Sequence, residues 1–175
     1  MKKQPAGNYA FLDSQNVHLG VKSQGWSLDF GRFRVYLRDK YQVEKAFACI
    51  GYVEGNQLLY TELQKAGYIL IFKPTLTYRD AKGVLQRKGN VDAEVVLHAM
   101  IEYDHYAKAV IVTGDGDFHC LIEHLELKGK LGKIVVPNHR FSSLLRRFSP
   151  YIVNIALLRD KLERRKQKKR GIPAG

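Results

Sequence analysis

The amino-acid sequence predicts a single three-layer α/β domain around a largely parallel sheet of five or six strands. Three observations predict it. Strand-like apolar runs alternate with helical patterns along nearly the whole chain, the order that builds parallel sheets. Runs such as Val110-Ile111-Val112 are apolar without a break, as strands covered on both faces are. The 175 residues, 45% of them hydrophobic, suffice for one core, and no repeat divides them.

Strands are predicted at Tyr9–Leu12, Ala46–Ile50, Tyr68–Phe72, Ala109–Val112, Lys133–Val136 and Tyr151–Val153, where β-branched and aromatic residues cluster. Glu54–Ala66 reads as a helix that Gly67 terminates. A second helix starts near Asn90, a good cap. Its Ala93, Val96, Leu97, Met100 and Ile101 follow helical spacing and predict a buried stripe. Phe118, Leu121, Ile122 and Leu125 repeat that spacing after the fourth strand. The alternative architecture is a flavodoxin-like sheet with a different strand order. The domain is expected over residues 1–155, with a basic C-terminal extension over 156–175.

Charge narrows the partners. Lys and Arg number 29 against 17 Asp and Glu, a net charge of +12. Eight of the bases (Arg159, Lys161, Arg164, Arg165, Lys166, Lys168, Lys169, Arg170) crowd the tail with only Asp160 and Glu163 among them. Such a tail attracts phosphates through counterion release, or else only aids solubility. It offers little apolar surface to a membrane. No stretch approaches the roughly 18 apolar residues of a membrane span, and the start does not read as a signal peptide. Cys49 and Cys120 are too few for a disulfide framework. A reduced, cytoplasmic protein with a polyanionic partner is the expectation.

Lys73–Gly89 is too long for an ordinary connection between a strand and a helix. It holds Lys73, Arg79, Lys82, Arg87 and Lys88 against Asp80 alone, with Tyr78 as a surface on which a base could stack. The plain alternative is a solvated hairpin.

Four carboxylates stand where such folds build their sites. Asp13 directly follows the first strand, Asp115 and Asp117 follow the fourth, and Asp92 lies in the first turn of the central helix. Residues past the carboxyl ends of parallel strands gather along one edge. Converging carboxylates repel and need a cation or protons. Hard oxygen ligands suit Mg²⁺ or Mn²⁺, which can activate water for attack on a phosphodiester. The plain alternative is that each Asp caps a helix or starts a turn. The six histidines show no ligand spacing, and no Ser or Cys nucleophile is partnered by one.

These stretches resemble a known family. Phe11-Leu12-Asp13-Ser14-Gln15-Asn16 resembles the strand and turn that open the NYN domain of the PIN-like nuclease superfamily, in its LabA-like branch. Lys88-Gly89-Asn90-Val91-Asp92 resembles the element that starts its central helix. Val112-Thr113-Gly114-Asp115-Gly116-Asp117-Phe118, followed by Leu121-Ile122, resembles its most specific signature. The likeness spans about residues 8–155.

The resemblance implies a Rossmann-like, PIN-type sheet of order 3-2-1-4-5 and metal-dependent RNA cleavage. Asp13, Asp92, Asp115 and Asp117 would be both the catalytic and the metal residues, with Mg²⁺ or Mn²⁺, and Asn16 would orient the first Asp or the substrate. Tyr78, Arg79, Lys82, Arg87 and Lys88, with Arg164, Arg165, Lys168, Lys169 and Arg170 of the tail, would bind RNA. One position departs: where many relatives carry another acid in the central helix, this chain has His98. The alternatives are a noncatalytic RNA-binding or adaptor protein on the same fold, and a DNA nuclease.

Overall fold

Five of the six residues of Asn8–Asp13 (β1) are buried, so this strand is covered on both faces and lies at the centre of a sheet. The structure is a computed structural model, and it describes residues 7–165 apart from Thr75, Asp80 and Gly89. Val43–Gly51 (β2) and Tyr68–Lys73 (β3) lie to one side of β1. Ala109–Val112 (β6), Leu131–Val136 (β7) and Ile152–Asn154 (β8) lie to the other. The order is β3-β2-β1-β6-β7-β8, and every pairing is parallel. This is the predicted 3-2-1-4-5 order with a sixth strand added, and it excludes the flavodoxin-like alternative. The strands that end near Asp13 and Asp115 are hydrogen-bonded neighbours.

Helices cover both faces, giving three layers. Ser14–Lys22 (α1), Phe30–Tyr41 (α2) and Gln57–Lys65 (α3) pack on the face of Leu12, Ala48 and Val112. Asp92–Ile101 (α4) and His119–Leu127 (α5) cover the face of Phe11, Phe47 and Ile111. Between the first two strands, where no helix was expected, the chain forms two. Their starts were nonetheless written in the sequence. Asp13 accepts the N–H of Asn16 and Asp29 that of Arg32, both at 3.0 Å, each capping a helix. As predicted, Gly67 lies just past α3 with φ +93°, a conformation that costs glycine little.

The predicted stripe of α4 is corrected by the structure. Val91, Val95 and Ala99 face the sheet, while Leu97, Met100 and Ile101 are exposed. This helix is apolar nearly all round, so spacing alone did not fix which face turned inward. Tertiary contacts did. Tyr106 is fully buried, and its hydroxyl donates to the Ala99 carbonyl at 2.9 Å. Its ring meets Phe11, which stacks on Phe47 at 5.2 Å. Burying rings of this size stabilises by about 1.5–3 kcal/mol each, which fastens α4 over β1 and β2. The α5 stripe of Phe118, Leu121, Ile122 and Leu125 is buried as predicted.

Most of the long basic segment forms an antiparallel ribbon, Leu76–Arg79 (β4) with Leu85–Lys88 (β5), separate from the main sheet. At the other end of the chain, a single turn, Arg159–Leu162 (α6), buries Leu162 against the α1–α3 side. The Leu162 carbonyl accepts the N–H of Asp29 at 2.8 Å, and Leu28 forms a bridge with Glu163. Among the described residues, no helix is long and apolar enough to cross a membrane.

Candidate metal centre

The turn after β6 is folded by its own short side chains. Thr113 Oγ1 accepts the N–H of Asp115 at 3.1 Å, and Asp115 Oδ1 accepts that of Asp117 at 3.0 Å. The second bond caps a single 3-10 turn, Gly116–Phe118, anchored by the fully buried Phe118. Gly116 is required by close approach, because a Cβ there would overlap the Ser142 side chain and press on Leu144. Across the sheet edge, Asn90 grips the first residue of α4. Its Oδ1 accepts the Asp92 N–H at 2.9 Å, and its Nδ2 donates to Asp92 Oδ2 at 2.6 Å.

These two turns bring Asp92, Asp115 and Asp117 together. One oxygen from each lies within 4.8 Å of the others, and Asp92 and Asp115 are half-buried while Asp117 is exposed. Asp13 is not part of this trio. It lies nearly buried beside it, and its carboxyl is pushed up to about 6. Burial is the main cause, the hydrogen bond from Asn16 opposes it, and the charges of Asp92 and Asp115 add to it. Asp92 is also raised, chiefly by burial, with Asn90 and Lys73 opposing and Asp115 and Asp117 reinforcing. Two of the alternative capping roles are therefore real: Asp13 caps α1 and Asp115 caps the 3-10 turn. The cap bonds to Oδ1 leave each carboxylate further acceptor lone pairs, so capping and metal binding do not compete.

The donor set fits a hard divalent cation. It offers carboxylate oxygens from two separate turns and no thiolate or imidazole in the trio. Ser14 Oγ, next to Asp13, is buried without a hydrogen-bond partner among the described residues, so further oxygen donor capacity adjoins the site. Cys49 pairs in register with Asp13 and is fully buried, and that burial pushes its thiol up to about 12, away from the reactive thiolate.

Residues 9–156 match the family model of the NYN domain. The chain belongs to the NYN domain family. A curated relative is the low amplitude and bright protein LabA of Synechococcus elongatus, 22% identical over 170 residues that cover 94% of this chain and 91% of that one. A crystal structure of a protein of unknown function from Vibrio parahaemolyticus shares the fold, with TM-score 0.73 and 23% identity. It covers 94% of this chain and 100% of that one. The NYN assignment brings a PIN-like nuclease fold, and the acidic trio stands in it at the carboxyl edge of the sheet.

The other predicted residues fall into three groups. Asn16 joins the site: its Oδ1 accepts the N–H of Gly114 at 2.9 Å. Tyr78, Arg79, Lys82, Arg87 and Lys88 belong to the ribbon between β3 and α4, with Arg79 and Lys82 exposed. Arg164 instead pairs with Glu62 of α3 at 3.1 Å, and Arg165 is exposed beside it. Lys168, Lys169 and Arg170 lie outside the described residues. His98 stacks on Phe47, at 6.3 Å between rings, on the flank of α4 that faces β2.

Two residues named from the sequence take a part in the site that spacing did not specify. Lys73, the last residue of β3, pairs with Glu94 of α4 at 3.1 Å and is the cation that pulls Asp92 downward. Its position at a strand end was the available signal. Asn90 was read as a cap but not as a partner of the Asp92 side chain, which only the turn's geometry reveals.

Proposed function

We propose that this chain is a metal-dependent endoribonuclease that hydrolyses RNA phosphodiester bonds at the Asp92–Asp115–Asp117 trio. The observation that carries the reading is the convergence of those three carboxylates, from two separate turns, in a chain of net charge +12. Asp92, Asp115 and Asp117 would hold Mg²⁺ or Mn²⁺, and Asp13 would add a fourth carboxylate to the field once ionised. A divalent ion bound there supplies Lewis acidity, making water a better nucleophile and steadying charge on the phosphoryl oxygens. Asn90 and Thr113 fix the orientation of the turns, so little reorganisation is needed when substrate arrives. Lys73 compensates part of the negative charge beside Asp92.

Substrate capture falls to the ribbon and the tail. Arg79, Lys82, Arg87 and Lys88 sit on the segment that leads directly into α4, so phosphates held there lie next in sequence to Asp92. Tyr78 is the stacking candidate on the same segment. The tail bases add affinity without sequence choice. The free cysteines and the absence of a membrane-spanning helix among the described residues fit a reduced, cytoplasmic setting. The noncatalytic alternative leans on His98, yet the trio is complete without an acid at that position.

The test is a matched pair of RNA and DNA oligonucleotides, each incubated with Mn²⁺, Mg²⁺ or EDTA. RNA should be cut with metal and stay intact with EDTA. Equal cutting of DNA would overturn the choice of RNA. Tight binding of RNA without cleavage in any metal would favour the binding module.

A further inference from the structure

The segment from Pro137 to Ser142, which leaves the carboxyl end of β7, has no role in the account above. It is braced on two sides. Asn138 is 7% exposed, and its Nδ2 donates to the Gly20 carbonyl of α1 at 2.8 Å. The Pro137 carbonyl accepts from Gln24 Nε2 at 3.0 Å. On the other side, the Ser142 N–H donates to the Gly114 carbonyl at 2.9 Å, inside the turn that carries Asp115 and Asp117. Pro137 also packs so closely that a Cβ on Gly20 would overlap it, and one on Gly114 would come within 3.2 Å.

Within this rigid frame, Asn138 Oδ1 accepts the N–H of Arg140 at 2.7 Å and turns the backbone outward. His139 and Arg140 are exposed at that point. Among the described residues, neither side chain has a hydrogen bond or ion pair with another group. Arg147, by contrast, is held by Glu123 and Glu126. A guanidinium carried on a braced backbone, with no protein partner of its own, is suited to a phosphate.

The strand order gives this loop a direction. Along the carboxyl edge the sequence of features is Lys73 and the ribbon after β3, Asp13 after β1, Asp115 after β6, and Arg140 after β7. The acidic trio thus lies between two basic banks, and β3 and β7 are separated by four interstrand spacings, about 19 Å.

We propose that His139 and Arg140 bind a backbone phosphate of the RNA strand on the far side of the acidic trio from the β4–β5 ribbon. The strand then crosses the sheet edge from one bank to the other. This rests on the nucleic-acid reading above and assigns the path of that substrate.

The test compares wild type, the His139→Ala/Arg140→Ala double variant and Lys40→Ala, an exposed charge lost from the end of α2. Binding of a fluorescent RNA oligonucleotide in EDTA is measured against salt, and KM and kcat in Mn²⁺. The double variant should bind roughly tenfold more weakly at low salt, the loss expected for one or two charge-assisted hydrogen bonds. Its slope of log K against log salt should flatten by about 0.7 for each single-strand phosphate contact removed. KM should rise with kcat little changed. Lys40→Ala should match wild type, and all three should share one melting temperature. A double variant with wild-type affinity and slope would overturn the proposal while leaving the nuclease reading intact. Wild type that neither binds nor cuts RNA would overturn both.

Discussion

The side chain of Asn16 and the backbone N–H of Gly114 meet at 2.9 Å although 98 positions separate them in sequence. The bond joins the turn after β1 to the turn after β6. The same asparagine gives its own N–H to Asp13, so one residue ties the buried carboxylate to the loop of Asp115 and Asp117. Asn16→Ala should leave the Gly114 N–H without this partner and cost about 1–3 kcal/mol in urea denaturation. Asn16→Asp keeps an acceptor and should recover much of that loss at low pH. Equal stability of Asn16→Ala and wild type would remove this bond from the account.

Asp13 makes stability depend on pH. Its carboxyl sits at about 6 in the folded chain against 3.8 in the unfolded one. Well below pH 3.8 both states are protonated and the site carries no penalty. As pH rises toward 7 the unfolded chain ionises first, so metal-free protein loses on the order of 3 kcal/mol. Asp13→Asn retains a good N-cap but cannot ionise. Compared with wild type in EDTA, it should be more stable at pH 7 and lose most of that advantage by pH 4. A constant difference across that range would contradict the burial of this charge.

A cation should reverse the sign of that effect. Millimolar Mn²⁺ should raise the melting temperature at pH 7.5, since an ion at a hundred times its dissociation constant adds about 2.7 kcal/mol. The rise should shrink at pH 5, where protons compete for the same oxygens. Asp92→Asn and Asp117→Asn should each weaken it. An equal rise in both variants would assign the metal elsewhere.

Gly116 marks how tightly the acidic turn meets the loop after β7. A methyl group there meets Ser142 and Leu144. Gly116→Ala should therefore destabilise by about 1–3 kcal/mol, the usual cost of overpacking. Removing the Ser142 side chain in the same molecule, as Ser142→Gly, should restore part of the loss. Additive effects in that cycle would show the two do not touch.

Much of this arrangement was legible in the sequence because it is local. Val110-Ile111-Val112 announced a buried strand, and the aspartates that follow strands announced the edge on which they gather. The α4 stripe was not legible, since Leu97, Met100 and Ile101 are as apolar as the residues that won the interior. Tyr106 and Phe47, which decide the matter, lie outside the helix. The burial of Asp13 beside the trio and the bracing of Pro137–Ser142 against Gly20 and Gly114 depend on contacts between distant segments. Spacing along a chain does not carry that information.

The most direct measurement is single-turnover cleavage of an RNA oligonucleotide in Mn²⁺ by wild type and Asp115→Asn, purified identically. Asp115 Oδ1 caps the 3-10 turn, and asparagine preserves that acceptor, so the variant should fold normally. Wild type should cut, EDTA should abolish cutting, and Asp115→Asn should be slower by roughly a hundredfold or more, as when a main electrostatic stabiliser is lost. Equal rates for the two proteins would contradict the account, because the cleavage would then come from somewhere other than the acidic trio.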